Sequence, residues 1–227
     1  MRVSLVSVAM ALFLGACGAA PPAEVPSEPA RGGDPLNACD ATKYPCAPYG
    51  YLWGDVLPNL EFVGRADDNK DGVISPDDPV RKIRLSDYYQ DKNIHVLAIL
   101  VSAEWCPPCQ AEQGELIDSW KQYQADKKGV AYVGVLIEST NRSPADVGTV
   151  DRWTARNWTN NGKKPATMAG KIPFPFVADP TNQLGPYYPQ PAFPMQMVVT
   201  TSDMVIQWTN NGYGPGGLEQ QIDTYLP

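Results

Sequence analysis

Cys106 and Cys109 stand two residues apart in Trp105-Cys-Pro-Pro-Cys109, just after the apolar run Ile94-His-Val-Leu-Ala-Ile-Leu-Val101. Two thiols at this spacing can close a small disulfide ring and open it again. The run predicts a buried strand and the residues after it a helix, so Cys106 falls at a helix N-terminus. Unpaired N–H groups and the positive dipole end there favour thiolate over thiol. Such settings lower a cysteine pKa from about 8.5 to roughly 3.5–7.5. The pattern points to thiol–disulfide exchange. Cys106 is expected to be the nucleophile with its sulfur exposed, and Cys109, one turn further in, the buried resolving thiol. Pro107 and Pro108 stiffen the turn and remove two N–H donors from the thiolate. Dithiol proteins span roughly −270 to −120 mV, and fewer donors argue for the reducing half.

The chain has five cysteines and one histidine, His95. Cys39 and Cys46 read as a structural disulfide at the start of the folded part, the alternatives being a second redox pair or metal ligands. A zinc site there lacks obvious partners, and His95 reads as a structural residue at a strand edge. Cys17 ends Leu14-Gly-Ala-Cys17, which follows Met1-Arg2 and an apolar stretch too short for a comfortable membrane span. This resembles the bacterial lipobox. It implies a lipoprotein signal peptide over 1–16, a lipid on Cys17 as the membrane anchor, and a protein facing the periplasm. The alternative is an ordinary secretory signal cut near Ala16 or Ala20. Either way disulfides persist after export. Gly18 and Ala19, with no aspartate beside the cysteine, resemble an outer-membrane sorting signal. Residues 17–37, rich in Pro, Gly, Ala and charge, read as a flexible tether.

A second motif occupies 67–78. Asp67, Asn69 and Asp71 take positions 1, 3 and 5 of a calcium loop, with Gly72 at the sharp turn. The Val73 carbonyl, Ser75 and Asp78 fill positions 7, 9 and 12. Asp78 is shorter than the usual glutamate, which weakens the expected site. The alternative is an Asn/Asp/Gly turn that the same residues make unaided. No other cofactor is implied.

The elements that must position these residues alternate. A short strand is expected at Leu60–Val63, then a strand at Ile94–Val101, a helix at Cys106–Ala125 and a strand at Gly129–Ile137. A helix follows at Pro144–Trp158, with Pro144 near its first turn, and an extended piece at Phe174–Val177. A hairpin, Gln196–Thr200 and Val205–Trp208, precedes a terminal helix at Gly217–Leu226. The segment Trp-Thr-Asn-Asn-Gly, at 158–162 and 208–212, reads as two turns. The order is that of the thioredoxin fold, an α/β architecture with a central mixed sheet and helices on both faces. The domain spans 38–227, and its N-terminal extension, 38–93, holds the acidic loop.

Val101-Ser-Ala-Glu-Trp-Cys-Pro-Pro-Cys-Gln-Ala-Glu-Gln113 resembles the active site of the TlpA/ResA-like thioredoxin family, exported and often membrane-tethered thiol–disulfide oxidoreductases. Leu85-Ser-Asp-Tyr88 resembles the lead-in to its first core strand, and Phe193-Pro194-Met195 its cis-proline loop. The resemblance covers about residues 56–227. It implies that Pro194 is cis and lies against the disulfide. Phe193 and Met195 would then flank the substrate groove, beside Pro107 and Pro108, and Trp105 would cover the pair. It also implies that Glu112 handles protons near Cys109. Thioredoxin carries a buried aspartate in the preceding strand, where this chain has Leu100. A partly buried Glu112 with a raised pKa could accept the Cys109 proton. A solvated helix glutamate is the alternative, and Glu104 and Glu115 are read as solvated.

With 25 acidic against 18 basic side chains the net charge is −7, which argues against nucleic-acid binding. The expected partners are protein thiols and disulfides, an upstream electron donor, and the lipid membrane through Cys17. Two other functions remain open. A thioredoxin-fold peroxidase would need Pro-x-x-x-Thr-x-x-Cys, but Ile99 and Ala103 hold those places before Cys106. A non-catalytic, calcium-binding surface lipoprotein would keep its disulfide closed.

Overall fold

The computed structural model describes residues 40–188 and 192–227. The expectations for the signal peptide, Cys17, the tether and Cys39 lie outside these residues. Cys46 is disulfide-bonded.

Among the described residues, nine strands and three α-helices follow in chain order: β1 Glu61–Arg65, β2 Arg81–Arg84, β3 Val96–Ala103, α1 Pro107–Ala125, β4 Val130–Glu138, α2 Val147–Thr154, β5 Trp158–Asn160, β6 Thr167–Gly170, β7 Phe176–Ala178, β8 Met195–Thr200, β9 Val205–Asn211 and α3 Gly217–Thr224. Seven strands form one sheet in the order β2-β1-β7-β4-β3-β8-β9. β3 and β4 are parallel, β4 and β7 are parallel, and β3–β8, β8–β9, β1–β7 and β1–β2 are antiparallel. The central strand, β3, is buried along its whole length, which is why it reads as an unbroken apolar run rather than an alternation.

Period two still governs which side each β3 residue serves. Val96, Ala98 and Leu100 join a core with residues of all three α-helices, including Leu116, Ile117, Trp153 and Leu218. Leu97, Ile99 and Val101 join a second core with Tyr44, Leu57, Leu60 and Ile83 of the N-terminal part and with Leu184 and Tyr187. The α-helices therefore lie against one face. The expected helical cover of the other face is supplied by the N-terminal segment and two short 3-10 turns, Leu85–Asp87 and Gly185–Tyr187.

Several boundaries differ from expectation for local reasons. The second helix starts at Val147, not Pro144, because Asp146 caps it: its Oδ1 accepts from Thr149 N at 2.8 Å. Pro144 instead bridges to Glu138. The helix ends at Thr154, and Trp158 turns back to pack its ring 4.7 Å from Trp153. There it opens a two-stranded hairpin, β5–β6, that the sequence did not suggest. Gly114 admits this hairpin, since a Cβ there would stand 2.2 Å from Thr159 O. Both Trp-Thr-Asn-Asn-Gly segments thus begin in strands, and in the second only Gly212 turns, at φ 90°. β2 was also unforeseen, pairing with β1 from Glu61↔Arg84 onward.

Candidate active site

β3 ends at Ala103, and after three residues the chain enters α1. Cys106 is the N-cap and is joined to Cys109 as a disulfide, with Cα atoms 5.3 Å apart. Pro107 and Pro108 have no N–H, so the first helical donor is Cys109 N, which donates to Cys106 Sγ at 3.2 Å. Both prolines are exposed. Cys106 itself is only 2% exposed and Cys109 1%. The expectation of an exposed Cys106 sulfur is therefore corrected for this oxidised state: the ring lies within the helix-side core, against which Trp105 and Phe193 pack.

Trp105 is fixed on three sides. Its Nε1 donates to Glu138 Oε2 at 2.5 Å, the Arg142 guanidinium stacks 3.9 Å from the ring centroid, and Phe193 meets it edge-on at 6.3 Å. Arg142 holds a left-handed backbone, φ 64°, in a loop tied by Ser139, Asn141 and Ser143. Before Trp105 stands Glu104, buried to 2% exposure rather than solvated. Arg152 grips it through Nε at 3.1 Å and Nη2 at 2.9 Å, Arg156 donates at 3.2 Å, and Thr140 N donates at 3.0 Å. Burial pushes its carboxyl up, but these donors outweigh it and hold the pKa below the usual range. Glu104 is thus a buried tie between the start of the redox loop and α2. The sequence hid it because its guanidinium partners lie 48 and 52 residues away.

Phe193–Pro194 is a cis peptide. The next residue, Met195, opens β8 opposite Val101 of β3. Pro194 therefore sits at the end of the sheet from which the Cys106 loop emerges. Phe193 is half-buried there. Met195 does not flank an open groove: it is fully buried in the second core with Met197 and Val199, because odd positions of β8 face away from α1.

Even positions of β8 face the helices, and here the site gains a pair. Glu112, one turn after Cys109, is 2% exposed, and its Oε1 accepts from Gln196 Nε2. Gln196 lies opposite Leu100, the position where thioredoxin has its acid. The carboxyl thus reaches from α1 toward the strand position that lacks one. Burial pushes the Glu112 pKa up to about 8. The Gln196 bond pulls it down, and Glu115 and Glu219 push it further up. The reading of Glu112 as a solvated helix residue fails on this burial. Glu115 is not free either: it accepts from Tyr213 Oη at 2.6 Å and from Gly216 N at the start of α3. Gln196 was missed, although a lone amide in Met195-Gln-Met-Val-Val199 at a helix-facing register was a usable signal.

The 67–78 loop lies apart from this pair in the chain and spends its carboxylates on its own backbone. Asp67 accepts from Asp71 N and Gly72 N, each at 3.0 Å, and Gly72 turns at φ 84°. Asp71 accepts from Val73 N at 3.0 Å. Asp78, 1% exposed, accepts from Asp68 N at 3.1 Å, Asn69 N at 3.4 Å and Ser75 N at 3.0 Å. Among the described residues no group of three or more His, Cys, Asp or Glu is arranged to hold a metal ion. No described helix is long and apolar enough to cross a membrane.

The AhpC/TSA family model matches residues 63–202, more than half of the chain. The chain belongs to the AhpC/TSA family. Solved structures agree in fold. A protein assigned as the thiol:disulfide interchange protein DsbE of Chlorobium tepidum is 19% identical, with a TM-score of 0.53 over 78% of this chain and 99% of that one. One assigned as a protein disulfide isomerase of Bacteroides thetaiotaomicron is 17% identical, with a TM-score of 0.52 over 78% and 92%. Enterococcus faecalis AhpC is 15% identical, with a TM-score of 0.52 over 77% and 92%. No curated protein sequence matches the chain. The resemblance to TlpA/ResA-type proteins of the thioredoxin family stands: this is a thioredoxin-fold redox protein with its cysteine pair at a helix N-terminus.

Proposed function

We propose that this protein is a thiol–disulfide oxidoreductase that reduces protein disulfides through Cys106 and Cys109. One observation carries the reading: the Cys106–Cys109 disulfide at the N-terminus of α1, with the buried Glu112 carboxyl one turn behind it. The reduced pair starts the reaction with Cys106 as thiolate, stabilised by the Cys109 N–H. It attacks a substrate disulfide, forms a mixed disulfide and releases one substrate thiolate. Cys109 then gives its proton to the Glu112 carboxylate, attacks Cys106 Sγ and expels the second substrate sulfur. Two electrons pass to the substrate, and the Cys106–Cys109 disulfide remains. A carboxyl titrating near 8 can both take and return a proton around neutral pH. Cys106 must come free of Trp105 and Phe193 to meet a protein substrate. In this reading the protein is exported, anchored through a lipid on Cys17 and turned toward the periplasm, as the lipobox-like Leu14-Gly-Ala-Cys17 supports.

Family membership and the likeness to AhpC favour peroxidase chemistry as a second reading. Against it, Ile99 and Ala103 replace the proline and threonine of the peroxidatic signature. Parallel assays with insulin and hydrogen peroxide separate the two. The proposal expects insulin reduction that Cys106→Ser abolishes, a loss of roughly a thousandfold or more. Full insulin reduction by Cys106→Ser, or Cys106-dependent turnover of peroxide alone, overturns it.

A further inference from the structure

Gln196 lies outside every motif read from the sequence, yet it is the side chain bonded to Glu112. It is the second residue of β8, 3% exposed, and faces the helix-side core across from Leu100. Its Nε2 donates to Glu112 Oε1. Its Oε1 is buried and has no hydrogen-bond partner among the described residues. A buried acceptor left unpaired is costly, so an apolar residue here would avoid a penalty.

The two ends of an amide suit the two states of a carboxyl. A carboxylate only accepts, so it takes the Nε2–H. A carboxylic acid has one O–H to donate and needs an acceptor. The unspent acceptor on the residue that already holds Glu112 is Gln196 Oε1, and a half-turn of the planar amide presents it in the same place. Neither acid whose charge acts on Glu112 is hydrogen-bonded to it: the Glu115 oxygens on α1 accept from Tyr213 Oη and Gly216 N, and Glu219 on α3 is engaged by Ser119. Tyr132 of β4 and Tyr213 between β9 and α3 also feel its charge. Their hydroxyls are committed to Ser119 Oγ at 3.0 Å and Glu115 Oε2 at 2.6 Å.

We propose that Gln196 is a positioning residue for proton transfer: its amide holds Glu112 in both protonation states, donating through Nε2 to the carboxylate and accepting through Oε1 from the acid. It thereby sets the pH at which Glu112 takes the Cys109 proton. The inference rests on Glu112 being the proton acceptor in the disulfide exchange proposed above. The step is balanced: the Cys109 S–H bond breaks, its proton forms an O–H on Glu112, and the sulfur keeps the electron pair with which it attacks Cys106 Sγ.

The test compares Gln196→Met, which keeps length and loses both hydrogen-bonding ends, in the wild-type and Glu112→Gln backgrounds. Two quantities are read on the full chain: the Glu112 carboxyl titration by carbon-13 NMR, and the pH dependence of the Cys106–Cys109 reduction potential against glutathione. The bond to the anion is charge-assisted and outweighs the bond to the neutral acid, so losing both should raise the Glu112 midpoint, and the matching break in the potential curve, by about one pH unit. In the Glu112→Gln background the break is absent, and Gln196→Met leaves the curve unmoved. Should Gln196→Met fail to fold, Gln196→Asn, with its amide one methylene short, carries the same test with a shift in the same direction. An unmoved midpoint, or equal changes in both backgrounds, overturns the proposal and leaves Gln196 a packing residue. Insulin assays on the same samples keep the two readings apart, since absent turnover counts against the exchange activity while the midpoint reports on Gln196.

Discussion

Asp78 and Glu112 are buried to almost the same degree, 1% and 2% exposed, and both sit in motifs that read as functional. Asp78 has the Arg65 guanidinium beside it, bonded to its backbone carbonyl, whereas no cation acts on Glu112, and their donors differ as well. Asp78 is met by three backbone N–H groups of its own loop. Glu112 is met by a single side-chain amide and otherwise by apolar core and neighbouring acids. A carboxylate ringed by backbone donors closes a turn. A carboxyl given one donor and no cation is held near the point where it changes charge. Burial alone does not separate structure from chemistry; the supply of donors and cations does.

Breaking the Glu112 side of this comparison should have the larger effect. Glu112→Gln removes the proton acceptor and should slow release of the mixed disulfide by about 10²-fold or more, measured by stopped-flow with a disulfide substrate. The same variant should become more stable at alkaline pH. Glu112 titrates near 8 in the fold, against about 4.5 for an ordinary glutamate, so the folded protein holds the extra proton between those values. Wild-type stability therefore falls as pH rises from about 4.5 to 8, by on the order of 5 kcal/mol. Thermal melts of wild type and Glu112→Gln should coincide near pH 4 and separate above pH 8, with the variant higher.

Glu104 sharpens the contrast as a third buried carboxylate, one whose side chain is gripped directly by two guanidinium groups. Glu104→Ala should cost about 3 kcal/mol in urea denaturation, since it strands Thr140 N and unties α2 from the redox loop. Asp78→Ala should cost about 2 kcal/mol through unpaired loop N–H groups, while leaving the pH break of the cysteine pair in place. The smallest effect expected is that of calcium. Because the loop closes on its own donors, calcium at about 1 mM should stabilise the protein by no more than about 1 kcal/mol over chelator, read by paired melts. A larger rise would show the loop to be an ion site.

What was legible in the sequence was local. The cysteine pair, the proline before the hairpin and the buried strand β3 each declare themselves within a few residues. The second helix was overextended because its apolar spacing runs on toward Trp158, whereas Asp146 fixes where it starts and the packing of Trp158 on Trp153 ends it. Glu104 and Glu112 were ambiguous because a glutamate beside a motif looks the same in sequence whether solvated or buried. Arg152, Arg156 and Gln196 decide the matter from 48, 52 and 84 residues away. The cover of the second face was missed for a similar reason, since it comes from irregular segments with no periodicity.

The central claim, that Cys106 and Cys109 form a pair that turns over on protein disulfides, is tested most directly by trapping. Reduced Cys109→Ser protein is mixed with a disulfide-bonded substrate protein and followed by intact-mass spectrometry. The account predicts a covalent one-to-one adduct through Cys106 that dithiothreitol releases and that wild-type protein does not accumulate. No adduct under conditions where the variant is folded and its Cys106 thiol is free would contradict it.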